Sequence, residues 1–398
     1  MSTAVLTNRL ELSSVADTAL KAATRFWFAV TVIGQLLFAF AVASFYGLTA
    51  LRGDYHGWRI TNGYTPGVTR GNFAVVIHLL SAAVIMFAGA VQLVPGVRHR
   101  FPVFHRWNGR IYMLTAVALS VAGLYMQWFR GSVGDLPQHL GSLLNAVLIW
   151  SCAAMALRYA MARDFRTHRR WALRLFLVVS GSWFYRIGFF LAVAINRGPF
   201  GFDPTTFTGP FPTFMSFAQY LIPLGILEIY FHAQDHPGAL RRMATASMLF
   251  VLTLVMAAGL LAVTVAIWVP QVRAGFDPRT SIAETLKPTI ASSGVEQAVK
   301  QYHDLRASAR PGTYNFDEGE LNGLGYQLIR KKQFKEAIRI FQLNVEAYPQ
   351  SSNAYDSLGE GYMDDGNKVF AIANYEKAIQ LDSKNRNSIV MLQKLRNQ

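Results

Sequence analysis

The chain has 398 residues, of which 52% are hydrophobic and only 15% are charged, and its formal net charge is +15. Residues 1–270 carry 21 Lys/Arg and 8 Asp/Glu, whereas residues 271–398 carry 17 and 15. Because about 25% of residues are charged in an ordinary soluble chain, these numbers exclude a single soluble fold and indicate a basic membrane domain followed by a soluble domain. The positive charge lies between apolar segments, so we expect no nucleic-acid partner. The single cysteine, Cys152, excludes an intrachain disulfide.

Seven apolar segments are each long enough to cross a bilayer, which takes about 20 residues per helix. They are 26–48, 72–94, 107–129, 140–161, 171–195, 214–231 and 244–269. We therefore predict an all-α protein with a seven-helix membrane domain over 26–270, in which spans two to five form a four-helix core bundle. The sixth span is the weakest, because it is short and contains Glu228. Residues 1–25 are too long and too acidic for a cleaved signal peptide and are expected to form a cytoplasmic segment.

Arginines are concentrated in alternate loops. The loops after spans two, four and six carry ten, against five in the other three loops. The more basic loops of a membrane protein face the cytoplasm, so the N-terminus is predicted to lie inside. An odd number of spans then places the C-terminal domain outside, which means the periplasm if the protein lies in a bacterial inner membrane.

The C-terminal part contains two repeats with a period of 34 residues, 321–349 and 355–383. Leu324-Gly325 aligns with Leu358-Gly359, Ala337 with Ala371 and Phe341 with Tyr375. This pattern resembles the tetratricopeptide repeat, in which small and aromatic residues pack two helices together. We expect a repeat domain over 293–398 after a linker at 271–292, with caps at 295–308 and 387–397. Such domains present concave surfaces, so a protein or peptide partner is expected, although a spacer role stays open.

Four histidines occupy matched positions in spans two to five. His78 and His139 lie in spans that both enter from the outer face, whereas His105 and His168 open spans that both start at the inner face. The local sequences also match, because His78-Leu-Leu-Ser parallels His139-Leu-Gly-Ser and His105-Arg-Trp parallels His168-Arg-Arg-Trp. This indicates a duplicated helix hairpin with one histidine pair near each membrane face.

Two imidazoles from facing helices are the axial ligands that a b-type haem takes, so the pattern predicts two haems, one per pair. Electrons could then cross the membrane, with a small molecule or a quinone as donor or acceptor. Haem propionates need cationic partners, which are candidates at the two faces: Arg106, Arg110, Arg169 and Arg170 inside, and Arg186 outside. Small residues near the histidines, among them Gly89, Gly123 and Gly181, would leave room for a flat macrocycle.

Over residues 72–195 the histidine pattern is similar to that of di-haem transmembrane cytochromes b, including the ascorbate-reducible type. The run from Gln92 through Arg98 to His105-Arg-Trp-Asn-Gly-Arg-Ile-Tyr112 also resembles a bacterial membrane family called domain of unknown function 2306. The first resemblance implies haem ligation and membrane oxidoreductase activity. The second implies a membrane domain and no particular activity, so whether the protein is an enzyme stays open.

Other uses of these residues stay open. Histidine and arginine at helix starts often contact lipid phosphates, which would make the protein a non-redox scaffold or a lipid- or anion-binding protein. A zinc ion could instead take His78 and His139 with Asp54 or His56, giving a membrane hydrolase. Residues 54–58 could bind a substrate or form part of an interfacial aromatic belt. Glu228 could pair with an arginine or carry a proton, and the Pro/Gly-rich stretch 196–212 could be a lid or a plain connector.

Overall fold

A computed structural model describes residues 3–51, 69–129, 134–198, 200–203, 206–236 and 238–396. Most of the described residues are helical, and the chain divides into two compact units, Met1–Phe276 and Asp277–Gln398. This agrees with the predicted all-α fold.

The first unit contains eleven described α-helices, and two short π-helical segments interrupt the first and last long helices. The α-helices are α1 Thr3–Val42, α2 Leu48–Leu51, α3 Thr69–Leu93, α4 Pro95–Arg100, α5 Pro102–Phe129, α6 Leu136–Met161, α7 Phe165–Val179, α8 Gly181–Asn196, α9 Pro210–Asp235, α10 Ala239–Val263 and α11 Val269–Phe276. The π-helical segments are Ala43–Gly47 and Thr264–Trp268. The expected N-terminal segment 1–25 is not separate from the first span, because α1 runs through both from Thr3 onward.

Six helices among the described residues are long and apolar enough to cross a membrane, and the bent pair α7–α8 makes a seventh if it counts as one span. The bend is 48° and falls at Ser180, whose hydroxyl accepts a hydrogen bond of 2.9 Å from Gln35 Nε2. The irregular span is therefore the fifth. The sixth is the single 26-residue helix α9, in which Glu228 forms an ion pair with Arg174 at 2.7 Å.

Three helix pairs build the first unit: α3 packs along α5, α6 along α7, and α1 along α10. Trp183 and Tyr220 are completely buried in its core. Close helix approach depends on Gly34, because a Cβ at that position would lie 2.6 Å from the Trp183 ring. Large apolar side chains such as Leu114 and Phe87 are exposed on the outside of the bundle, as expected for a surface that faces lipid.

The second unit consists of stacked helix hairpins, a short parallel strand pair and a final helix. Its elements are β1 Thr280–Ser281, α12 Ile282–Ser293, α13 Val295–Ser308, β2 Tyr314–Asn315, α14 Glu318–Arg330, α15 Phe334–Ala347, α16 Ser352–Asp364, α17 Lys368–Leu381 and α18 Arg386–Arg396. The first helices of successive hairpins contact one another, α12 with α14 and α14 with α16. The helix α18 covers the last hairpin through Leu392 and Leu395.

Helices α12 and α13 form a hairpin that precedes the two repeats seen in the sequence. The second helix of every hairpin carries a buried alanine followed four residues later by a buried aromatic residue: Ala298 and Tyr302, Ala337 and Phe341, and Ala371 and Tyr375. Ile282 and Leu286 of α12 are also buried in the same core. We expected a linker over 271–292 and a cap at 295–308. The structure instead has a helix hairpin there, formed by α12 and α13.

Candidate histidine sites

Two of the four histidines lie at one end of the bundle, here named the His78 end. A Cβ at Gly123 would lie 3.6 Å from His78 Cε1, and the His139 ring centroid is 5.6 Å from that of Trp128. Gly123 and Trp128 both lie in the last two turns of α5, so His78 on α3 and His139 on α6 are at the same end. The antiparallel packing of α3 on α5, and the short connection from α5 to α6, produce this arrangement.

The other two histidines lie at the opposite end, here named the His105 end. His105 Nε2 is 3.3 Å from Nε2 of Gln92, near the last turn of α3. His168 Nδ1 is 2.8 Å from the carbonyl oxygen of Ala156, near the last turns of α6. His105 and His168 are close enough to interact electrostatically. The two members of each expected pair thus lie at the same end of the bundle, and their pairing and their role as ligands stay predictions.

Three of the four histidines have a buried ring nitrogen without a hydrogen-bond partner: His78 Nδ1, His105 Nδ1 and His139 Nε2. No other histidine in the described part of the chain has such an atom. Buried polar atoms are nearly always paired in folded proteins. Eight other buried side-chain atoms of the described residues also have no partner, Tyr112 Oη and Trp183 Nε1 among them, so the three nitrogens are candidate contacts for a bound group and not a signal confined to the histidines.

His168 shows the arrangement that metal-binding imidazoles adopt, in which one ring nitrogen donates to a backbone carbonyl and the other is left for the metal. In His168 the carbonyl of Ala156 can only accept, so Nδ1 carries the proton and Nε2 presents its lone pair.

The small residues expected to make room for a macrocycle mostly serve helix packing. A Cβ on Gly89 would lie 2.9 Å from the Tyr112 ring, and one on Gly181 would lie 3.3 Å from Asn145 Nδ2. Of the three glycines, Gly123 faces a candidate ligand, His78. A macrocycle would therefore require side chains around Gly89 and Gly181 to move.

The arginines expected at the His105 end are mainly exposed. Arg106, Arg110 and Arg169 are exposed, and the Arg110 guanidinium lies 4.9 Å from the centre of the Trp107 ring. Arg170 is different, because its NH2 group is 2.5 Å from Asp235 and its charge is thereby compensated. Three of these four cations thus remain available to an anion.

Arg186 lies at the His78 end, on α8. It donates a hydrogen bond of 2.8 Å to the Ser182 carbonyl, and its guanidinium is 5.4 Å from the centre of the Phe38 ring. It also interacts electrostatically with His78. Within the described ranges no carboxylate lies within ion-pair distance of Arg186. This cation therefore lacks an acidic partner beside a candidate ligand.

The sequence analysis missed the amide pair beside His105. Asn108 Nδ2 donates to the Ala88 carbonyl at 2.9 Å and to Gln92 Oε1 at 2.8 Å, and Gln92 in turn contacts His105. Gln92 and Asn108 both belong to the run that carried the family resemblance. Asn108 lies three residues after His105, and Gln92 lies on α3, two helices earlier in the chain. These positions were the available signal, but the roles of the two amides depend on side-chain packing.

The stretch 196–212 lies beside the His78 end, as far as the structure describes it. The Phe207 carbonyl accepts a hydrogen bond of 3.2 Å from Gln138 Nε2, next to His139. Phe202, Phe207 and Phe211 all pack on the Phe189 ring of α8. These contacts hold the described part of the stretch near the start of α6, and its role as a lid or a connector stays a prediction.

No three His, Cys, Asp or Glu residues within the described ranges come close enough to hold a metal ion. The zinc hypothesis remains untested, because Asp54 and His56 lie outside the described residues. The same holds for the substrate-binding hypothesis for residues 54–58. Glu228 is paired with Arg174, as one of its two expected roles requires.

Residues 75–209 match the protein family described as Predicted membrane protein (DUF2306). The matched range begins in α3 and ends just before α9, so it contains both histidine hairpins and all four candidate ligands. This similarity identifies a membrane-protein domain, in agreement with the apolar helices. A comparison with curated proteins finds no match.

Proposed function

We propose that the protein transfers electrons across a membrane through two haems b, one held at the His78 end and one at the His105 end. The observation that carries this proposal is the set of unpartnered buried nitrogens on His78, His105 and His139. Haem iron takes two axial ligands and can cycle between ferric and ferrous states, which is the chemistry the group would supply.

At the His78 end, His78 and His139 would hold the iron through their unpartnered nitrogens. Arg186 would neutralise a propionate, which is consistent with its lack of an acidic partner in the described chain. The aromatic stretch around Phe207 would exclude water from this end.

At the His105 end, His168 would be oriented by its bond to the Ala156 carbonyl, and His105 would face it from α5. The exposed Arg106, Arg110 and Arg169 are candidate partners for propionates there. Arg170 is less suitable, because it is already paired with Asp235.

Following the arginine distribution, we place the His105 end at the cytoplasmic face and the second unit outside the cytoplasm, in a bacterial inner membrane. A quinol or another small-molecule donor would supply electrons at one face, and a small-molecule or protein acceptor would take them at the other.

We propose that the second unit is a tetratricopeptide domain that binds a protein or peptide partner. Its three hairpins meet the minimum of about three that such repeats need for stability, which the two repeats visible in the sequence did not. The recurring alanine and aromatic positions support this assignment.

The second candidate is a membrane scaffold without a redox centre, in which exposed arginines hold lipid phosphates. The exposure of Arg106 and Arg169 favours it. A reduced-minus-oxidised spectrum of protein purified from haem-replete cells decides between the two. Sharp bands of six-coordinate haem would support electron transfer, whereas colourless protein that retains anionic lipid would support the scaffold.

A further inference from the structure

Two histidines that the proposed haem sites do not use lie together at the end of α9. His232 and His236 are four residues apart, and the backbone N–H of His236 donates to the His232 carbonyl at 3.2 Å, which keeps them one helical turn from each other. Their ring centroids are 4.3 Å apart, and both residues are exposed. The end of α9 therefore presents two neighbouring imidazoles to solvent.

The backbone determines which nitrogen His236 presents. His236 Nδ1 lies 3.1 Å from the carbonyl oxygen of His232, and a carbonyl can only accept, so Nδ1 carries the proton. In the neutral ring Nε2 then holds a lone pair. Metal-binding histidines have this arrangement, in which one nitrogen donates to a carbonyl and the other is directed at the ion. The ring of His236 is thus oriented for a ligand role before any ion binds.

The spacing of the pair suits a transition-metal ion. Two histidines four residues apart lie on one helix face and can share a zinc ion, as the two histidines of the His-Glu-x-x-His motif do. Ala233 stands where that motif has its catalytic glutamate, so the pair can bind but lacks the general base. Two nitrogens that each lie about 2.0–2.1 Å from one ion require rings in close contact, as these are. Imidazole ligands favour Zn²⁺, Ni²⁺ or Cu²⁺ over Mg²⁺ and Ca²⁺, which prefer oxygen ligands.

Three arginines contact the last turn of α9, and acidic groups or water offset their charge. Asp235 pairs with Arg170 at 2.5 Å and with Arg166 at 3.2 Å. The Arg166 side chain is 82% exposed, so solvent screens it. Arg242, which donates to a carbonyl of this turn, pairs with Asp17. The carbonyl end of α9 itself carries partial negative charge, which favours a bound cation.

We propose that His232 and His236 form a binding site for one divalent transition-metal ion, with water as its remaining ligands. The pair supplies two ligands, which agrees with the finding that no three such residues of the described chain are close enough to share an ion. The ion stabilises the last turn of α9, where Asp235 joins that helix to α7. The site does not depend on the proposed haems, because it uses none of their candidate ligands.

The test is a titration of the purified full-length protein with ZnCl2, followed by calorimetry, and with CuCl2, followed by electron paramagnetic resonance. We expect one Zn²⁺ bound at this pair, with affinity lower by on the order of tenfold or more in His232→Ala and in His236→Ala. The nitrogen splitting of the Cu²⁺ spectrum should change from two nitrogens to one, and MgCl2 should give no binding. The controls are His99→Ala and His303→Ala, at exposed histidines outside the pair, and should bind as the unaltered protein does.

Zn²⁺ binding that is absent from the unaltered protein, or unchanged in both variants of the pair, would overturn the proposal. A loss in only one of the two variants would also overturn it, because a single histidine would then hold the ion. Equal losses in the controls would assign the binding to surface histidines in general. Any ion held by the four candidate haem ligands is retained in all these variants, and the haem content of each tests the proposed function separately.

Discussion

His168 Nδ1 and the carbonyl oxygen of Ala156 lie 2.8 Å apart across the tight connection between α6 and α7. The bond joins the second half of one helix to the first turn of the next, so the hairpin itself orients the ring. A histidine that donates to a backbone carbonyl in this way offers its other nitrogen in a defined direction. The backbone, and not another side chain, therefore sets the orientation in which this ring could bind a ligand.

The first prediction concerns the pairing of ligands. His78→Ala and His139→Ala should each remove the same haem and about half of the haem absorbance, because both rings serve the His78 end. His168→Ala should remove the other haem. The measurement is haem content and potentiometric titration of each purified variant, and exposed His303 supplies the control His303→Ala, which should keep both. Loss of both haems in every variant except the control would contradict two separate sites.

The second prediction concerns orientation. A reporter that works only after export, fused after Gln398, should be active, and one that works only in the cytoplasm should be silent, because ten of the fifteen loop arginines lie in the loops assigned to the cytoplasm. The opposite pair of activities would mean an even number of spans. The bent pair α7–α8 would then be the first segment to reconsider.

The third prediction concerns the independence of the two units. Truncation after Phe276 removes none of the four histidines and none of the candidate spans. The shortened protein should therefore insert and show the same haem spectrum, while a partner captured by the full chain should be lost. A truncated protein that inserts but lacks haem would mean that the second unit completes a haem site.

The fourth prediction concerns packing in the repeats. A Cβ at Gly325 would lie 2.3 Å from the Phe341 ring, so Gly325→Ala should lower the free energy of unfolding of residues 277–398 by about 1–3 kcal/mol. Gly323→Ala, in the same helix, has no atom within 4 Å of its new methyl group and should raise it slightly. Urea denaturation of the two variants measures the difference. Equal effects would mean that helix propensity, and not the contact with Phe341, decides the outcome.

The fifth prediction concerns pH. Burial raises the pKa of Glu360 above its ordinary value, Asp356 and Asp364 add to the shift, and the hydrogen bond from Tyr326 opposes it. The folded state thus holds the proton more tightly than the unfolded state. Glu360 therefore contributes most to the free energy of unfolding at pH values below the ordinary pKa of glutamate. Its contribution declines as the pH rises through the raised pKa of the folded state.

Glu360→Gln should accordingly stabilise residues 277–398 at neutral pH, and the gain should shrink as the solution is acidified below the ordinary glutamate range. Urea denaturation at several pH values measures this. Glu346→Gln, at an exposed glutamate, is the control and should show little such dependence. A gain for Glu360→Gln that is constant with pH would assign the effect to packing and not to charge.

The sequence predicted the parts of the fold that depend on periodic patterns. Apolar length located the spans, and the matched histidines pointed to two helix pairs that the structure contains, α3 with α5 and α6 with α7. The pattern failed where local geometry decides. The fifth span breaks at Ser180, and the first hairpin of the second unit is spaced 39 residues from the next between Tyr302 and Phe341, not 34, because an insertion with a short strand separates them.

The sequence predicted which residues form the candidate site, but it did not predict how their side chains are oriented. The positions of His78, His105, His139 and His168 follow from helix direction alone. Which nitrogen each ring presents depends on neighbours such as Gln92, whose amide is fixed by packing and by the Ala88 carbonyl. Arg170 is a similar case, because its partner Asp235 is 65 residues away in the chain.

The break at Ser180 divides the fifth span into two separate rods. His168 lies on the first rod and Arg186 on the second, so within the fifth span no single straight helix joins these two residues. A change in the tilt of one rod can be absorbed at this joint before it reaches the other rod. The fifth span thereby differs from α3, α5 and α6, each of which runs unbroken between the two ends of the bundle.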